Sequence, residues 1–182
     1  MERKITVAFK EYILESIIAD LAICQHLYEK IPDGSMDKRP REGMRSTREL
    51  LQYLSCTASV TIESFVNGGW GLPENIERVK EKRAKSALLD PKDFVATVEE
   101  EKRLITELLD PFSDNDLLTM ETVLPWGAKV KLIEALLNNS LKYIAAYRLQ
   151  LFLYAKMWGA EISTPNAWLG KDPKLKAAAQ TV

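Results

Sequence analysis

The strongest structural signal in the sequence is a long apolar stripe at helical spacing between residues 128 and 158. Apolar side chains recur there every three or four positions, so they lie on one side of an α-helix. The stripe consists of Val130, Ile133, Leu137, Leu141, Ile144, Leu151, Ala155 and Trp158. Gly159 follows it, and glycine readily adopts the left-handed conformation that ends a helix. Because such a stripe is buried by packing against other helices, the pattern predicts a helical bundle.

Three further helices are predicted upstream, near residues 5–31, 46–67 and 91–109. The first keeps its apolar spacing up to the turn sequence Pro32-Asp33-Gly34. The second opens with Ser46-Thr47-Arg48-Glu49, in which serine and glutamate can cap each other's backbone N–H groups. The third opens with Asp90-Pro91, a capping residue followed by a proline suited to the first helical position.

The segments between and after these helices complete the predicted fold. Residues 71–89 form a long connection whose opposite charges favour a short exposed helix. Residues 112–124 are expected to be irregular, with one helical turn followed by an extended piece, and residues 160–182 are expected to wrap over the bundle as a loop. The sequence therefore predicts a single all-α domain over residues 1–182. It is a four-helix bundle with a long crossover between helices two and three and a C-terminal loop tail.

Composition and charge narrow the classes of protein to which the chain can belong. A hydrophobic content of 46% over 182 residues is enough for a core without disulfides or metals. The net charge of −1 creates no field that would attract nucleic acid or an anionic membrane, and no uncharged apolar stretch is long enough to span a bilayer. Cys24 and Cys56 lack the spacing of a disulfide framework. We expect a cytoplasmic protein that contacts neither membranes nor nucleic acid.

The last predicted helix also carries a polar stripe beside its apolar one. This stripe comprises Ser140, Tyr143, Tyr147, Gln150 and Tyr154, which share one face because they are three or four residues apart. Buried tyrosines usually fill core volume and hydrogen-bond at their tips. The spacing alone is therefore better explained by packing than by a site.

Two stretches of the chain resemble a known family of proteins. The segment from Tyr143 to Leu151 resembles the His-x3-His-Arg-x-Gln-Leu signature of the DinB-like superfamily of four-helix bundles. The segment from Arg45 to Leu54 looks like the opening of that family's second helix, where a serine cap precedes a histidine. Tyr143, Tyr147 and Tyr53 stand at the three histidine positions.

The resemblance implies a site at which this chain has changed the ligands. Family members commonly bind a divalent metal such as zinc or nickel through the three histidines. Some are thiol-dependent transferases, isomerases or metal-dependent hydrolases. A phenol, with an ordinary pKa of about 10, must lose a proton before it binds a metal well. His26 is the only histidine and cannot rebuild a three-ligand site. We therefore expect no bound metal and no metal-dependent catalysis, and predict no cofactor.

The predicted site centres on Tyr53, Tyr143 and Tyr147, and further lining residues are expected among His26, Cys56, Gln150 and Arg45. Two outcomes remain open: the phenols line a cavity for a small molecule, or they fill the former metal site. The leading hypothesis is a small-molecule binder or inactive enzyme homologue. The alternatives are a thiol-dependent transferase or hydrolase, in which arginines of the loop before helix two hold an anionic substrate, and a structural homodimer. Cys56 is expected to be inert, and Glu99, Glu100 and Glu101 to be solvated.

Overall fold

Four long helices pack into a closed bundle in the computed structural model, which describes residues 8–173. In chain order the elements are α1 (Phe9–Tyr28), α2 (Thr47–Val66), α3 (Pro73–Ser86), a 3-10 turn (Pro91–Asp93), α4 (Phe94–Leu109), α5 (Asp114–Thr119), β1 (Glu121–Val123), β2 (Lys129–Lys131), α6 (Leu132–Ala135), a π-helical segment (Leu136–Leu141), α7 (Lys142–Met157) and α8 (Thr164–Leu169). Helices α1 and α2 each pack against both α4 and α7. The predicted all-α bundle is confirmed. The predicted first turn of helix one and the end of the tail lie outside the described residues.

Helix α2 is held at both ends by local sequence. The Ser46 hydroxyl accepts the N–H of Glu49 at 3.2 Å, and the Glu49 carboxylate accepts the N–H of Ser46 at 2.6 Å, forming the predicted capping box. At the other end, Gly69 has a φ of +126°, and a Cβ there would lie 2.6 Å from the backbone nitrogen of Val123. Glycine therefore allows the end of α2 to contact β1 closely.

The last bundle helix begins later than the sequence suggests and contains a register change. Residues Lys129–Lys131 pair with Glu121–Val123 in a two-stranded antiparallel sheet, so the predicted start near residue 128 is corrected to Leu132. The π-helical segment then inserts one extra residue into the helix. Leu132 and Ala135 are buried before this segment, and Leu136, Asn139 and Ser140 are buried within it. Beyond it the predicted inward residues Ile144, Leu151 and Ala155 are buried.

The crossover contains α3, a mostly exposed helix that packs on α2. Its buried residue is Asn75, whose side-chain amide donates hydrogen bonds to the backbone carbonyls of Gly69 at 2.6 Å and Ser64 at 3.2 Å. Further along α3, Lys82 lies 2.6 Å from the Glu63 carboxylate on α2. Near its end, α3 reaches the first half of α2 through contacts of Arg83 with Tyr53 and of Ser86 with Cys56, and the candidate site is found there.

The tail includes a helix where a loop was expected. Residues Thr164–Leu169 form α8, which begins with a capping box between Ser163 and Asn166. Helix α8 packs against α1 and α7. Ser163 and Asn166, three residues apart, cap the start of this helix, which explains why a helix forms here. Within residues 8–173, no helix is both long and apolar enough to cross a membrane.

Candidate functional site

The three tyrosines singled out by the sequence form one aromatic cluster. The ring centroids of Tyr53 on α2 and Tyr147 on α7 are 4.6 Å apart. The ring of Tyr143, one turn earlier on α7, lies 5.9 Å from that of Tyr147. Tyr53 and Tyr147 are half-buried, whereas Tyr143 is 36% exposed. The bundle thus brings the three positions together as a chain of rings, with Tyr147 in the middle.

Two arginines stack on this cluster. The guanidinium carbon of Arg45 lies 4.0 Å from the centroid of the Tyr53 ring, and that of Arg83 lies 4.3 Å from it. Arg83 also donates a hydrogen bond to the Tyr53 hydroxyl at 3.3 Å. Among residues 8–173, neither guanidinium has a carboxylate within 4 Å. Two positive charges therefore meet on one phenol without a neutralising partner.

These groups border a cavity of about 470 Å³, which we call the phenol–guanidinium pocket. Its lining residues are Arg39, Gly43, Met44, Arg45, Glu49, Gln52, Tyr53, Arg83, Ser86 and Ala87. Of the three tyrosines, Tyr53 is the one that lines it. The Tyr147 ring packs against Tyr53, and the Tyr143 ring packs against Tyr147. Arg39 is partly neutralised by Glu49, 3.5 Å away.

The protonation state of Tyr53 follows from its surroundings. Burial raises the pKa of the Tyr53 phenol above its usual value, and the positive charge of Arg83 opposes this rise. The phenol consequently keeps its proton at neutral pH. Its oxygen accepts from Arg83, and interaction with the Tyr147 hydroxyl also favours the protonated form.

Helix α7 fixes the loop that carries Arg45. The Tyr154 hydroxyl donates to the backbone carbonyl of Arg45 at 2.9 Å and accepts from the Gln150 amide at 2.8 Å. One turn further, the Trp158 indole donates to the Thr47 hydroxyl at 2.9 Å. Gln150, expected as a lining residue, therefore positions the loop instead of facing the pocket.

The remaining predicted lining residues lie elsewhere. The imidazole of His26 contacts the Asn166 amide at 3.0 Å on α8, and Asp172 lies 3.8 Å from it. Cys56 lines a neighbouring cavity, and its thiol donates to the Ser86 hydroxyl at 3.4 Å. Burial raises the pKa of the Cys56 thiol, which disfavours the reactive thiolate.

Two residues that bear on function were not found from the sequence. Arg83 belongs to the crossover, where nothing distinguishes it from the neighbouring basic residues. Glu101 was expected to be solvated, but its side chain is buried, and burial raises its pKa from 4.5 to about 7. Spacing could have revealed Glu101, because it falls on the buried stripe of α4 between Val98 and Ile105.

The three clustered tyrosines are poor ligands for a divalent metal such as zinc or nickel. Phenols bind zinc or nickel as phenolates, yet burial raises the pKa of Tyr53. The Arg45 and Arg83 guanidiniums would also repel a cation at this place. Over residues 8–173, no three His, Cys, Asp or Glu side chains are arranged to hold a metal ion.

Solved structures share this fold. A protein assigned to the DinB family from Exiguobacterium sibiricum superposes with a TM-score of 0.65 at 18% identity, covering 86% of this chain and 96% of that protein. A DinB-like protein from Bacillus subtilis gives a TM-score of 0.61 at 15% identity, covering 84% of this chain and 96% of that protein. No protein-family model matches the sequence, and no curated protein matches it significantly. The chain therefore has a DinB-like fold, as its sequence motifs suggested.

Proposed function

We propose that this protein is a metal-independent binder of a small anionic molecule. The observation that carries the proposal is the pair of guanidiniums, Arg45 and Arg83, stacked on Tyr53 beside a cavity and lacking carboxylate partners among the described residues. Guanidinium groups bind carboxylates and phosphates through paired, charge-assisted hydrogen bonds. The ligand class is therefore a carboxylate or phosphate monoester small enough for about 470 Å³.

Under this proposal, the chain keeps a DinB-like fold but binds an anion where the family it resembles commonly binds a metal. By the resemblance, phenols stand at the three positions where that family has histidines, and two guanidiniums stack on one of these phenols. An anion supplies the missing countercharge at such a site. A transferase that uses a low-molecular-weight thiol is the alternative. That alternative would use the same arginines for the anionic part of its substrate.

Calorimetric titration with phenyl phosphate and benzoate tests the proposal. We expect saturable binding of at least one of them. Arg45→Gln and Arg83→Gln should each weaken it roughly tenfold, because a charge-assisted hydrogen bond contributes about 1.5 kcal/mol or more. Tyr53→Phe should have a smaller effect, since it removes the hydroxyl and keeps the ring.

Arg41→Gln is the matched control because Arg41 lies in the same loop as Arg45 but does not line the pocket. If Arg41→Gln lost as much anion affinity as Arg45→Gln and Arg83→Gln, the loss would come from net charge alone, which would contradict the proposal. So would the absence of binding to either anion. Conjugation assays with glutathione and an electrophile, run with and without added zinc or nickel, separate binding from transfer. Turnover that depends on Arg83 would favour the transferase.

We also propose that the chain self-associates through α7. Leu149, Leu153 and Met157 follow one another at four-residue spacing on its outer face and are each about half exposed. An apolar helical stripe of this kind is typical of a helix–helix interface. Light scattering should show a dimer that Leu153→Glu dissociates. Leu118→Glu, which alters a similarly exposed leucine on α5, is the control. A wild-type monomer at high concentration would contradict self-association.

A further inference from the structure

A second cavity, of about 730 Å³, lies between α2, α3 and α4. We call it the Glu101 cavity. Helix α2 contributes the small side chains of Ser55, Cys56 and Ser59. Apolar walls come from Leu88 and Leu89 after α3, and from Leu104 on α4. None of the three clustered tyrosines lines it, so it is a site separate from the phenol–guanidinium pocket.

The buried charged group at this cavity is a carboxylate that forms no direct ion pair with a described residue. Glu101 is 5% exposed, and its Oε1 accepts the backbone N–H of Ser59 at 2.7 Å. In the described part of the chain, no lysine or arginine nitrogen lies within 4 Å of this carboxylate. The ammonium of Lys82 lines the cavity but pairs with Glu63 at 2.6 Å.

A carboxyl group in this position is costly to ionise. Removing a carboxylate from water is unfavourable unless an opposite charge and hydrogen bonds compensate it. The backbone and side chain of Ser59 and the more distant charge of Lys82 compensate it only in part, and the raised pKa of Glu101 reflects the remainder. A ligand that carries positive charge into the cavity would remove this penalty. The apolar walls would take up its hydrocarbon part.

We propose that the Glu101 cavity binds a primary amine with an apolar body, whose ammonium group pairs with the Glu101 carboxylate. The other charged side chains that line the cavity are exposed or already paired. They are Lys82, Lys85, Asp90, Asp93, Glu100 and Arg103. Glu101 is the buried member of the set, so it selects the charge of the ligand.

NMR titration of the whole chain with three six-carbon probes tests the head group. The probes are n-hexylamine, n-hexanol and hexanoate, which share a hydrocarbon body and differ in charge. Hexylamine should give saturable shifts at the backbone amides of Ser59, Glu101 and Leu104. Hexanol should bind at least roughly tenfold more weakly, and hexanoate should not bind here. Equal binding of the alcohol or the acid overturns the proposal.

Two variants test the residue. Glu101→Gln keeps an acceptor for Ser59 and should weaken hexylamine binding roughly tenfold or more. Lys82→Met removes a competing ammonium and should tighten it, while Arg78, 3.3 Å from Glu63, continues to neutralise that carboxylate. If Glu101→Gln does not fold, the Lys82→Met variant and the three probes still decide the proposal. Unchanged affinity in Lys82→Met, together with no preference for the amine, refutes it.

The pH dependence and the other pocket provide further controls. Hexylamine should bind more tightly at pH 8 than at pH 5.5, because Glu101 is largely ionised only at the higher pH. The charged groups around Glu101 are Glu63 from α2, Lys82 and Lys85 from α3, and Glu100 and Arg103 from α4. Arg41→Gln, which alters the lining of neither cavity, should leave hexylamine affinity unchanged. Hexylamine binding at Glu101 does not depend on anion binding at the phenol–guanidinium pocket, so each proposal can fail without the other.

Discussion

Replacing Glu101 with glutamine should change how the stability of the protein depends on pH. The pKa of Glu101 rises from 4.5 to about 7 on folding because the carboxyl is buried, so the folded chain holds this proton more tightly than the unfolded chain. The free energy of unfolding must then fall as pH rises between these two values. Between pH 5 and pH 8, the wild-type protein should lose about 2 to 3 kcal/mol relative to a variant that cannot titrate at this position.

Urea denaturation of both proteins at a series of pH values measures this difference directly. The amide of Glu101→Gln can still accept the Ser59 N–H, so the comparison isolates ionisation from the loss of a hydrogen bond. Glu100→Gln is the matched control, because the adjacent side chain is 69% exposed and should produce little change. A stability difference between wild type and Glu101→Gln that is constant with pH would refute the reasoning. A difference that grows in favour of wild type toward pH 8 would refute it as well.

Three further substitutions test how the fold supports the site. Gly69→Ala should lower the free energy of unfolding by more than about 1 kcal/mol, because φ is +126° at this position and a Cβ would collide with β1. Gly43→Ala is the control and should cost less, because there is open space around a Cβ there. Equal losses of stability in thermal unfolding would contradict this. Tyr154→Phe should lower stability by about 1 kcal/mol and weaken anion binding, because the loop that carries Arg45 loses its hydrogen bond. An unchanged anion affinity in calorimetric titration would show that Tyr154 does not position Arg45. Asp20→Asn should cost roughly 3 kcal/mol in urea denaturation because Arg148, 3.0 Å away and 11% exposed, keeps its charge; a loss near zero would show that water replaces the carboxylate.

The helices were predictable where local chemistry and apolar spacing agree. Ser46 and Glu49 cap α2 through their own side chains, so four residues of sequence fix its start. The start of the last helix depends instead on strand pairing between Lys129–Lys131 and Glu121–Val123. A three-residue strand carries little periodic signal. The π-helical segment likewise shifts the buried face by one position, which places Ser140 in the core and leaves Leu137 39% exposed.

The site was predictable to the extent that it depends on α2 and α7. The spacing of Tyr143 and Tyr147 places them on one helix face, and the resemblance to DinB-like motifs paired them with Tyr53. His26 has a suitable chemistry, but it lies on the part of α1 that α8 covers. Arg83 reaches Tyr53 from a helix whose direction across the bundle is set by tertiary packing. Sequence spacing within one helix contains no information about that approach.

Both cavities use the last turn of α3 as a wall, and Ser86 lines each of them. This helix is mostly exposed and packs mainly on α2, so it should open locally at a lower free energy than the bundle core. A ligand in either cavity binds the closed arrangement and would slow amide hydrogen exchange along α3. The opening equilibrium of one short helix therefore affects both cavities, because a ligand in either one stabilises the same closed arrangement of α3.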